Sequence, residues 1–205
     1  MRELLSAVLL ALCVGGAPAL GSDDVEPGPL LLDRVVAVVG DRLILASDVA
    51  LERALSERDP RPAPIGQPGR SPLLVLIDAS IIRGLAGDVT IYQPSSADVR
   101  ERLAALRATW ENPGDYIRFL ATYGLDEDRL SGVLFSRMVV ERYLQRAVVL
   151  PSQTAGEDAS GLRSRYDAWI REARAGVPVR IVHPWSSEDQ AFPLEKSDLP
   201  GRDDP

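Results

Sequence analysis

The sequence predicts a mainly α-helical protein with a small β-hairpin near its start and one strand near its end. Two apolar runs, Val35–Val39 and Leu43–Leu45, flank a Gly40-Asp41 pair, the pattern of a hairpin with a two-residue turn. Apolar residues then recur at spacings of three and four from Leu73 to Ala173, the period of helices with one buried face. Last, Val177 to Val182 alternates as a strand, and Pro178 restricts it to a strand start or a sheet edge.

The chain has 205 residues, enough for one or two small domains. Its first segment stands outside the fold. Met1-Arg2-Glu3 precedes an apolar run from Leu4 to Val14, Gly15-Gly16 breaks it, and the small residues of Ala17-Pro18-Ala19 follow. This is the layout of a secretory signal peptide over 1–19. The run is shorter than the ~20 residues a bilayer span requires. Cys13 lies within it and follows Leu12 instead of the small residue a lipidation site needs, so the mature chain is expected to carry no cysteine and no disulfide. A flexible leader over 20–31, a core over 32–182 and a disordered, acid- and proline-rich tail over 183–205 complete the expected organisation. Within that core, 32–150 forms an N-terminal part, and 160–182 supplies a C-terminal helix and strand.

Net charge is −7, with no basic block. Such a chain is a poor binder of nucleic acid or anionic membrane. No apolar run after the signal is long enough to span a membrane.

The elements follow in order. After the hairpin, Ser47 is expected to cap a helix starting near Asp48, whose polar end is Glu52-Arg53 and which fades at Asp59-Pro60. Five prolines and two glycines make 59–72 a loop. Ser71-Pro72 opens a core helix, apolar on more than one face, that Gly87 ends. Ser95 or Ser96 caps the next, with Asp98 placed for a capping box. Val99, Leu103, Leu106 and Trp110 share its face. Asn112-Pro113-Gly114-Asp115 restarts the chain into a short helix carrying Tyr116, Phe119, Leu120 and Tyr123, stopped by Gly124. Asp126 begins a longer helix with Leu130, Val133, Leu134, Met138, Leu144 and Val148 inward, and with Arg137, Glu141 and Arg142 as solvated charge. It is expected to stop at Leu150-Pro151, before a polar linker over 151–159. Ser160 opens the last helix, with Leu162, Tyr166, Trp169, Ile170 and Ala173 on one face and Gly176 closing it. If Trp169 is fully buried there, its replacement by Ala is expected to cost ~3–5 kcal/mol. The hairpin and the last strand are expected to share one sheet.

No catalytic site, metal or cofactor is implied. His183 is the only histidine and reads as a loop residue; it has no cysteine or second histidine with which to share a metal. No Gly-x-Ser-x-Gly elbow and no phosphate loop is present. Tyr116, Phe119, Leu120 and Tyr123 are the candidate peptide-binding residues, because aromatic rings supply large apolar area at sites that hold extended chains. Their helical spacing equally fits core packing.

The run Leu32-Asp33-Arg34-Val35-Val36-Ala37-Val38-Val39-Gly40-Asp41, followed by Leu43-Ile44-Leu45-Ala46-Ser47-Asp48-Val49, resembles the N-terminal hairpin and first helix of the SurA family of periplasmic chaperones. The helix over 73–85, that over 96–109 and Tyr123-Gly124-Leu125-Asp126 are similar, more loosely, to that family's helical N-terminal domain. Tyr166 to Val182 resembles the C-terminal segment that returns to complete it. Members commonly carry parvulin-type prolyl isomerase domains of about a hundred residues each before that segment. Here only 151–159 lies between, and a parvulin site's paired histidines cannot be formed from His183 alone.

The resemblance therefore implies a periplasmic, ATP-independent holdase for unfolded outer-membrane polypeptides, releasing them to the outer-membrane assembly machinery, and not an enzyme. Two alternatives stand beside it. One is a periplasmic binding or scaffold module for one folded partner; the other is a peptidyl-prolyl isomerase by family label only.

Overall fold

A computed structural model describes residues 33–59 and 70–182. The expected signal peptide, the leader, most of the proline-rich loop, His183 and the tail lie outside these residues. The described part is mainly helical with a small antiparallel sheet, as the sequence predicts.

Strands β1 (Val35–Val39) and β2 (Arg42–Leu45) form the hairpin, with Val39 opposite Arg42 across the Gly40-Asp41 turn. Gly40 has φ +60°, a left-handed conformation in which a side chain is strained. Its N–H donates to the Pro178 carbonyl at 2.9 Å, which ties the turn to the C-terminal strand β3 (Val179–Ile181). β3 pairs antiparallel with β1, so the sheet order is β2-β1-β3 and the strand that arrives last covers an edge of the one formed first. Pro178 precedes β3 on this edge, where its missing N–H costs no ladder bond. The register of β1 against β2 shifts between Val35 and Ala37, which makes Val36 an extra residue. That bulge lets the adjacent Val36 and Ala37 both be buried, which strict strand alternation forbids.

Helix α1 (Ala46–Arg58) leaves β2 without a connecting loop. Ser47 is therefore not its cap; Leu45 holds the cap position, two residues earlier than expected. Asp48 accepts from the Leu45 N–H at 2.9 Å, and Asp33 accepts from both the Ser47 N–H and its hydroxyl. Pro72 opens α2 (Pro72–Ala86), with Ser71 in the cap position but making no side-chain cap bond. Gly87, at φ +50°, ends it. After a 3₁₀ turn (Thr90–Tyr92), Ser95 and Asp98 make the reciprocal capping box of α3 (Ser96–Arg107). Asn112 caps α4 (Pro113–Thr122), Gly124 at φ +60° ends it, and Asp126 caps α5 (Glu127–Leu144).

Pro151 does not stop the chain's helical course. A π-helical turn (Gln145–Val149) continues α5 directly into α6 (Leu150–Thr154). Pro151 falls in the first turn of α6, just past the widened turn, where its missing N–H is tolerated. The expected linker is thus half helix, and Ser152 within it is buried, donating to Glu157 at 2.7 Å. Asp158, not Ser160, caps α7 (Ala159–Ala175).

Three clusters make the core. Under the sheet, Val36, Val39 and Ile44 pack on Val49, Leu73, Ile77 and Ile81. Beside it, Leu55, Leu106, Tyr116, Leu130 and Leu134 join α1, α3, α4 and α5. At the far side, Ile82, Leu144, Val148, Tyr166 and Ile170 join α2, the end of α5 and α7. Helix α2 contributes to the first and third, which is why its sequence is apolar on more than one face. Each fully buried aliphatic side chain contributes ~1.5–3 kcal/mol.

Charge is also built into these seams. Arg137, Glu141 and Arg142 are ion-paired, contrary to the expected solvated face. Arg137 donates to Glu52 at 2.6 Å, Arg142 to Asp98 at 2.8 Å, and buried Arg102 to both Asp59 (2.7 Å) and Glu141 (2.9 Å). Glu52 is buried too, so it is no polar helix end. Burial raises the Glu141 carboxyl above its usual range, against the pull of Arg102.

Candidate functional site

The aromatic stripe of α4 divides between core and surface. Tyr116 is buried in the second cluster, and its hydroxyl donates to Glu127 at 3.2 Å. Burial and that carboxylate push the phenol up to about 12. Trp110 packs against Tyr116 and Phe119 at ring distances of 5.3 and 5.1 Å, and Tyr123 lies 5.1 Å from Phe119. Phe119, Leu120 and Tyr123 are half-buried. Burial, with Glu57 nearby, raises the Tyr123 phenol. Phe119 borders a shallow hollow whose rim carries Glu57, Arg58, Asp115 and Arg118. Tyr116, Phe119 and Leu120 thus lie on α4 and Tyr123 is its C-cap, with Tyr116 turned into the core and the others at its margin.

A second, more apolar depression lies elsewhere, where β2, α1, α2 and α5 meet. It is a half-open cleft of about 400 Å³, within the size range of ligand sites. Leu51 and Leu55 from α1, Leu76 from α2, Val133 from α5 and Ile44 from β2 supply its apolar wall. Leu43, 59% exposed, stands at its mouth. Small residues of two helices also line it: Ala79 and Ser80 on α2, and Gly132 and Ser136 on α5. A Cβ placed on Gly132 would meet no atom within 4 Å.

The charges around this cleft are unequal in partnership. Arg137 is held by Glu52, and Arg129 donates to the Gly124 carbonyl at 3.1 Å. Arg83 differs: its Nε is buried with no hydrogen-bond partner. Burial lowers the Arg83 guanidinium and nearby Arg42 lowers it further, with Asp48 opposing. Burial raises the Asp48 carboxyl; the Leu45 N–H opposes that rise and Asp33 adds to it. The arrangement suits an apolar chain that also offers acceptors to a cation.

Sequence reasoning missed this cleft because it gathers residues from four elements. A trace in the sequence is the Gly132/Ser136 pair, small residues four apart on α5. Among the described residues no group of His, Cys, Asp and Glu is placed to hold a metal ion, and no helix is long and apolar enough to cross a membrane. No protein-family model matches the chain, and no curated protein matches it significantly.

Proposed function

We propose that this chain is an exported, ATP-independent holdase that binds unfolded outer-membrane polypeptides, built on a core resembling that of the SurA family and lacking isomerase domains. The observation that carries this reading is the half-open apolar cleft between β2, α1, α2 and α5. A holdase needs apolar surface that the folded monomer leaves open to a client, on a frame stable enough not to close over it. Unfolded outer-membrane strands carry apolar side chains at every second position, and such a cleft can accept them one or two at a time. Weak contacts of that kind permit release without nucleotide. The signal-like segment 1–19 and the likeness of 32–49 to the SurA family hairpin support a periplasmic site for this activity. The pairing of β3 with β1 agrees with a C-terminal segment that returns to complete the same domain.

The test is titration of the purified chain against a labelled outer-membrane barrel protein diluted from urea, with the folded barrel as control. Saturable binding of the unfolded form, with suppressed aggregation, supports the proposal. Equal affinity for folded and unfolded barrel, or no binding, rejects it. A sharp preference for one native periplasmic protein moves the assignment to a scaffold module.

A further inference from the structure

We infer that the outer edge of β3 takes one extended strand of a client polypeptide, paired antiparallel to the backbone groups of Val179 and Ile181, with apolar client side chains beside these two and an acidic one opposite Arg180; this rests on the polypeptide-binding reading above and adds to the cleft a contact for the client's backbone.

The sheet order β2-β1-β3 leaves β3 at an edge, and no strand among the described residues pairs with its outer side. The ladder to β1 fixes what that side offers. The Val182 N–H donates to the Val36 carbonyl and the Gly40 N–H to the Pro178 carbonyl, both at 2.9 Å. In an antiparallel pair, bonded positions alternate with unbonded ones. Pro178, Arg180 and Val182 therefore turn their backbone groups toward β1, while Val179 and Ile181 each turn an N–H and a carbonyl outward. Both residues are exposed, at 38% and 50%, so the edge is open to solvent. Backbone groups at this repeat are matched by another extended backbone, which is how a strand adds to a sheet edge.

The side chains narrow the occupant. Val179 and Ile181 stand opposite Val39 and Ala37, which are buried in the cluster under the sheet. They share that apolar face and overhang it. Arg180, opposite Val38, belongs to the other face and is exposed. A matching strand is apolar at two positions and acidic at the one between, a form of the apolar–polar alternation of outer-membrane strands. A second copy of this chain fits poorly. The register that uses both outward residues of each copy sets Arg180 against its own counterpart at about 5 Å, where like charges repel. The adjoining segment 183–205 fits poorly as well, because its only large apolar residues two apart are Phe192 and Leu194, with Pro193 and no acid between them.

The probe is a labelled, acetylated and amidated Thr-Val-Glu-Val-Thr peptide, titrated by fluorescence anisotropy against the full chain. Paired as inferred, its two Val amides face β3 and its Glu amide faces away. N-methylation of both Val amides should weaken binding at least about tenfold, and N-methylation of the Glu amide should leave it intact. Replacing Glu by Lys in the peptide should weaken binding about fivefold, and Arg180→Glu should reverse that order. If Arg180→Glu does not fold, the methylation series decides. No binding, equal loss from either methylation, or a preference for Glu that survives in Arg180→Glu overturns the inference. Self-association that the peptide displaces makes the edge an interface between copies and also overturns it. So does tighter binding by Phe192→Ser, since the chain's own tail is then the occupant. Binding of the unfolded barrel protein, measured in parallel, separates this failure from failure of the holdase reading.

Discussion

The hydroxyl of Tyr166 donates to the carboxylate of Asp78 at 2.9 Å, joining residues 88 apart in the sequence. Arg70 donates to the same hydroxyl at 2.9 Å and to the carboxylate, and Arg174 donates to Asp78 at 2.8 Å through Nε. Asp78 is 2% exposed. One buried acid on α2 therefore holds α7, the element that delivers β3 to the sheet.

Removing that acid should release the C-terminal segment. Asp78→Ala leaves two guanidinium groups and a buried hydroxyl without their shared acceptor, and is expected to destabilise by about 3–5 kcal/mol. Urea unfolding measures this. A loss under about 1 kcal/mol would mean the ion cluster contributes nothing beyond what water supplies.

The same contact sets an alkaline limit. Burial and Asp78 push the Tyr166 phenol up to about 12, and burial and Glu127 push Tyr116 to about 12. The unfolded chain loses these protons near pH ~10. The stabilisation is thus complete below that pH and is lost as pH rises through the folded value. Tyr166→Phe should lower stability at pH 8 by the loss of its hydrogen bonds. It should also remove about one proton from the pH dependence of unfolding at high pH. An unchanged slope rejects the assignment.

Packing of α7 gives a ranking. Ile170 is 4% exposed, while Trp169 is half-buried, with Tyr143 at 5.8 Å between ring centres. The fully buried cost anticipated for Trp169 therefore does not apply. Ile170→Ala should cost ~2–5 kcal/mol and Trp169→Ala about 1–3 kcal/mol. Thermal or urea unfolding of the two variants decides the order, and the reverse order would mean that the exposed part of the indole is covered in solution.

Gly132 separates stability from holding. It lies inside α5 with open space where a side chain would go. Gly132→Ala should stabilise by ~0.5–1 kcal/mol, because the helix gains propensity without a clash. Gly132→Phe should keep the helical signal yet lose binding of the unfolded barrel protein. Undiminished binding by a folded Gly132→Phe variant would locate the client elsewhere.

The sequence by itself determined the local elements, because each is set by neighbours along the chain. Gly40 and Gly124 carry the positive φ that their turns require. Ser95, Asn112 and Asp126 cap the helices they precede. The helical periods placed Leu106, Leu130, Tyr166 and Ile170 inward, and all four are buried. Where local reading failed, a distant partner decided. Ser47 does not cap α1, because Asp33 from the start of the hairpin supplies the acceptor. Glu52, Arg137 and Glu141 read as surface charge, since nothing in a single helix shows that α1, α3 and α5 bring compensating charges together. Pro151 was a plausible stop until a π-helical turn absorbed it. The cleft belongs wholly to this second kind. Its wall is apolar only because four elements converge, and its buried unpaired Arg83 Nε is defined by what tertiary packing fails to place beside it.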